Sequence, residues 1–75
     1  MAEVQGSIVR SCADLAAGDV IEAWRFGKLL HGGKVSQILP SVEMIWIVCA
    51  RTGTRKLVDM EAAAIIRVAA APRGA

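Results

Sequence analysis

The sequence predicts an all-β fold, a small domain of about five short antiparallel strands with one short helical turn before the last. Three observations carry that expectation. Two apolar runs, Gly18 to Phe26 and Gly33 to Leu39, flank a glycine-bearing connector, Gly27-Lys28-Leu29-Leu30-His31-Gly32, and glycine takes positive φ cheaply where a strand turns back. A third run, Val42 to Ala50, is the most apolar of the chain and sets Val42, Met44, Trp46 and Val48 against Ile45, Ile47 and Cys49, because successive strand side chains point to opposite faces. Arg51-Thr52-Gly53-Thr54-Arg55 then places a glycine where a bulged hairpin wants a left-handed backbone.

In chain order, residues 1–13 read as an N-terminal arm or a terminal strand, with Val4-Gln5-Gly6-Ser7-Ile8-Val9-Arg10 alternating briefly. Ser11 to Ala17 supports at most one helical turn, or a coil, before Gly18 cuts it off. The domain proper is expected over residues 14–69. In its first strand, Asp19 to Phe26, Ile21 and Ala23 share one face and Val20, Glu22, Trp24 and Phe26 the other, and either face can be the inner one. A long loop carrying Lys28, His31 and Lys34 follows, a candidate for meeting a partner. The second strand, Val35 to Leu39, stops at Pro40, which cannot donate to a ladder.

Both faces of the Val42–Ala50 run are apolar, which calls for a second covering layer from the same chain or from another copy. Lys56-Leu57-Val58 resumes the ladder after the tight turn, and Asp59 is a reasonable N-cap for a short helical turn through Ala64. The alternative is one helix from Asp59 to Ala71. The β-branched run Ile65-Ile66-Arg67-Val68 favours a final strand instead, and residues 70–75 read as a flexible tail.

At 75 residues, 55% of them hydrophobic and 21% charged, the chain buries little surface by itself yet is rich in apolar side chains, so a homo-oligomer is expected. Cys12, Cys49 and the lone His31 do not make a metal cluster, and no cofactor is expected. A formal charge of +2 is no strongly basic field. Membrane-length apolar runs and signal-peptide grammar are both missing, so the expected setting is the cytoplasm with reduced thiols.

His31 has no nucleophile or orienting partner near it in sequence, Cys49 reads as a buried inert thiol, and the carboxylates show no paired spacing. No enzyme activity and no catalytic residue are therefore expected. Lys28, Lys34, Arg51, Arg55 and Lys56 are the candidates for contacting nucleic-acid phosphates or an acidic protein surface. Met44, Trp46 and Val48 are the candidates for an oligomer interface.

The order of strands, loops and final turn resembles the SH3-like small barrel. Gly18-Asp19, Ile21, Ala23, Gly27, Gly32-Gly33, Val35 and Ile38 are similar to the glycine-punctuated core of KOW and Tudor-type barrels over about a third of the chain. The resemblance implies RNA or protein binding. This chain departs from it in being nearly neutral, and with Trp24, Trp46 and Phe26 as its only aromatics it lacks a cage for methylated side chains. Lys56 to Ile65 also looks in outline like the last strand and turn of type II dihydrofolate reductases, without their Val-Gln-Ile-Tyr pore signature, which would fall at Lys56 to Asp59. The expected function is a self-associating protein-interaction module without catalytic activity; the alternative is a nucleic-acid-binding barrel.

Overall fold

The computed structural model describes residues 6–71. Within them lie strands β1 (Ser7–Val9), β2 (Val20–Arg25), β3 (Lys28–Leu39), β4 (Met44–Cys49), β5 (Arg55–Asp59) and β6 (Ala64–Ala69), with single 3₁₀ turns at Cys12–Asp14 and Pro40–Val42. The strands form one six-stranded antiparallel sheet in the order β1-β6-β2-β3-β4-β5. The fold is all-β as expected, with six strands rather than five. The additional strand is β1, whose Val9 is buried opposite Ile65; residues 1–5 and the tail from residue 72 lie outside the described part.

The largest departure from expectation is the long loop after the first strand, which does not exist. Phe26 and Gly27, at φ 53° and 74°, close a two-residue turn, and Arg25 already pairs with Lys28. Two successive positive φ values define the hairpin turn whose twist matches its strands. Asn or Gly usually announces such a turn, and here its first position is a phenylalanine. The glycines that suggested a loop end, Gly32 and Gly33, lie inside β3. A Cβ on Gly33 would run into the Val48 carbonyl, so glycine serves close strand approach at this point.

β3 pairs with β2 through Lys34 and with β4 from Gly33 onward. Register shifts at Leu30 and Ser36 interrupt its ladders, and such bulges bend a strand. The bend curls the sheet, so that one face of every strand reaches a common core: Val9, Ile21, Ala23, Val35, Ile45, Ile47, Val58 and Ile65. Cys12, Leu15 and Met60 join the same cluster from the connections. The order ends at β1 and β5, which are the two sheet edges among the described residues.

The inner face of β2 is therefore the Ile21 and Ala23 side, and Phe26 belongs to the turn. On β4, Ile45, Ile47 and Cys49 face inward and Met44, Trp46 and Val48 outward, while Val42 sits in the 3₁₀ turn before the strand. The expected helical turn before β6 is an Asx-type turn. Asp59 Oδ1 accepts from the Glu61 N–H at 2.9 Å, and the Asp59 carbonyl from the Ala62 N–H at 3.1 Å. Asp59 thus shapes a reversal rather than capping a helix, since the chain must return at once to the sheet beside β2.

Two carboxylates, Asp19 buried and Glu43 half-buried, tie the connections down. Asp19, wholly buried, accepts from the backbone N–H of Ala16 at 2.9 Å and of Ala71 at 2.7 Å. Arg67 Nη1 stands 3.5 Å from its Oδ2 and donates to the Asp14 carbonyl at 2.8 Å. Glu43 adopts a left-handed backbone at φ 52°; its Oε1 accepts from the Cys12 N–H at 3.3 Å and its Oε2 faces the Cys12 thiol at 3.5 Å.

Candidate interaction face

Registers across β2, β3, β4 and β5 place the outward side chains in rows. The first row runs Val20, Lys34, Val48, Arg55; the second Gln37, Trp46, Leu57; the third Leu39, Met44, Asp59. Met44, Trp46 and Val48, named from the sequence as interface candidates, thus lie together along the outside of β4. Leu57, 44% exposed, extends their apolar surface onto edge strand β5, and Val48 is 37% exposed. The alternation of Arg55, Leu57 and Asp59 was the signal for Leu57, but it carries weight only once β5 is known to be an edge beside Trp46.

The expected covering layer for this face does not come from the described chain. Trp46 is only half-buried, and the guanidinium of Arg55 lies over its ring, 4.7 Å from the centroid. Stacking of this kind immobilises both side chains and holds the cation at the rim of the apolar stripe. Next to Val48, the side-chain-free stretch at Gly33 leaves a shallow cleft of about 460 Å³, lined by Val20, Lys34, Val48 and Cys49 among others. Its walls are mostly apolar, with one lysine at the edge.

The five basic candidates do not gather into a single patch carried on loops. Lys34 and Arg55 share the first outer row, and both are strand residues. Lys28 pairs with Arg25 beside the β2–β3 turn, where Phe26 is 89% exposed and lies under the Arg25 guanidinium at 5.0 Å. Arg51 is in the β4–β5 loop and lines a cleft of about 250 Å³ with His31, Cys49 and Thr52. Lys56 stands opposite buried Ile47, on the other side of β5 from Arg55.

Cys49 is buried, as its apolar strand suggested. The Thr52 hydroxyl and the backbone N–H groups of Arg51 and Thr52 hold its thiol below the ordinary range, aided by the charge of Lys56 and against the effect of burial. These donors come from a loop that starts one residue after Cys49. Cys12 behaves in the opposite way: burial first, then its hydrogen bond to Glu43 and that carboxylate's charge, push its thiol up. Both cysteines are free.

Among the described residues no helix is long and apolar enough to cross a membrane, and no group of three or more His, Cys, Asp or Glu side chains is gathered to hold a metal ion. Compared with family models, with curated proteins and with solved structures, the chain matches none of them.

Proposed function

We propose that this chain is an SH3-like barrel module that works by self-association through the outer face of β4 and β5. Support for the barrel type comes from the β2-β3-β4-β5 meander, the long bent β3 shared between its neighbours, and a last strand that returns beside β2 after a tight turn. Support for the interface comes from the contiguous Met44, Trp46, Val48 and Leu57 surface, on a chain too short to leave such a surface uncovered without cost.

The carrying observation is Trp46. A half-buried tryptophan at the centre of an apolar face, clamped by an arginine and next to a sheet edge that is open among the described residues, has the residue types and placement of an interface anchor. Sedimentation equilibrium of the purified chain tests the reading. A discrete oligomer that persists at moderate salt is expected, and Trp46→Lys should dissociate it with the strand signature of the circular dichroism spectrum retained. A wild-type monomer across the accessible concentration range would overturn the reading.

A second reading has one observation in its favour: Lys34 and Arg55 flank the Trp46 face in one row, the combination of cations and an aromatic that a single strand of nucleic acid uses. Adding a mixed RNA and DNA oligonucleotide pool to the same experiment separates the two. Phosphate binding weakens steeply as salt rises, whereas association carried by the apolar stripe weakens only by the screening of its rim charges.

A further inference from the structure

We infer that two copies of this chain join edge to edge, β5 against β5 in antiparallel register about a two-fold axis at Leu57, continuing the sheet from one copy into the next. The inference rests on the self-association reading and specifies its geometry.

The hydrogen-bond phase of β5 comes first. In an antiparallel ladder alternate residues turn their N–H and C=O groups toward one neighbour and then the other. The Cys49 N–H donates to the Thr54 carbonyl at 2.8 Å and the Met60 N–H to the Glu43 carbonyl at 3.0 Å. Between these two bonds the register runs unbroken from Val48 opposite Arg55 to Met44 opposite Asp59. Lys56 and Val58 are therefore the residues bonded to β4. Arg55, Leu57 and Asp59 turn their backbone groups to the open edge, where the Asp59 carbonyl also accepts from Ala62. An edge of this kind is a template for another strand.

The side chains then choose the strand and the register. Arg55, Leu57 and Asp59 all lie on the outer face, and their charges run plus, neutral, minus. An antiparallel partner with the same sequence, centred at Leu57, sets Arg55 of each copy opposite Asp59 of the other and Leu57 opposite Leu57. Moving the axis to Lys56 would oppose two lysines. Moving it to Val58 would set Arg55 opposite Glu61, which lies in the turn beyond the end of β5, and leave Leu57 opposite Asp59. A slip by an odd number of residues would turn inner side chains outward and is excluded by the pleat.

The stripe gains as well. Trp46 and Leu57 of one copy continue into Leu57 and Trp46 of the other. Closed two-fold pairing also consumes the β5 edge on both copies, so association through this edge stops at a dimer.

A charge-swap experiment on the full chain tests the register. Arg55→Glu and Asp59→Lys each create like charges at both ends of the paired strands, and each should raise the dimer dissociation constant by about tenfold or more. Mixed in equal amounts, the two variants should dimerise again near wild-type strength, since the introduced carboxylate of one meets the introduced ammonium of the other and the remaining Arg55 meets the remaining Asp59. Recovery on mixing also shows that both variants are folded. Variants that dimerise as wild type does, or that stay apart on mixing while their circular dichroism spectra match wild type, would overturn the register. A wild-type dimer broken by Trp46→Lys but untouched by either charge variant would overturn it and leave the self-association reading standing. Open-ended growth in place of a dimer would overturn it too, and a wild-type monomer would overturn both.

Discussion

Asp19 is a carboxylate placed where water does not reach it. Burial alone would push it up; the N–H groups of Ala71 and Ala16 and the Arg67 guanidinium outweigh burial and hold it below the ordinary carboxylate range. A group depressed in the folded state contributes stability that is present above its unfolded value and is lost as the pH falls through its folded value. Asp19→Asn should therefore cost about 2 kcal/mol at neutral pH, the worth of charge-assisted hydrogen bonds left imperfectly replaced. It should also flatten the fall of melting temperature in acid. A variant whose melting temperature falls in parallel with wild type below the ordinary carboxylate range would refute this role. In the sequence Asp19 is one scattered acid among several, and its partners at Arg67 and Ala71 are brought to it only by β6 returning beside β2.

At the scale of the element, the β2–β3 turn departs furthest from the pattern its residues suggest. Phe26 holds φ 53° while 89% exposed, with the Arg25 guanidinium stacked on its ring. A left-handed backbone costs an ordinary side chain about 1–2 kcal/mol, a strain that asparagine relieves by bonding locally. Phe26→Asn should accordingly stabilise the fold by about 0.5 kcal/mol after loss of the exposed stack, read as a higher midpoint in thermal denaturation. A lower midpoint would show that the phenylalanine is held by more than its neighbour. The same turn explains why β3 is 12 residues long. Its first part pairs with β2 and its second with β4, and that shared strand brings Cys49 and Arg51 beside His31.

For the whole molecule, size is the governing quantity. A radius of gyration of 11.6 Å encloses one core of modest extent, while Ile8, Phe26, Leu29, Leu30, Val48 and Leu57 remain on the surface. Small domains of this kind draw stability from association. Binding between folded copies stabilises them by mass action, so the melting midpoint should rise by several degrees over a hundredfold increase in protein concentration. A concentration-independent midpoint would count against association at those concentrations.

Period-two patterning, breakers and one glycine turn were enough for the sequence to determine the all-β class, strands near β2, β4, β5 and β6, the stop at Pro40 and the β4–β5 hairpin with Gly53 at φ 73°. These features are local, because each follows from side-chain alternation or backbone preference within a few residues. Met44, Trp46 and Val48 were legible as one stripe for the same reason. Only the tertiary structure decided that Gly32 and Gly33 lie within a strand rather than a loop, since what they accommodate is the backbone of β4. It also decided that β1 adds a sixth strand, that Lys34 and Arg55 share a row while Lys56 does not, and that Cys49 is acidified by its neighbouring loop. Those outcomes depend on which strands become neighbours and in what register, and register is set by the curl of the whole sheet around its core.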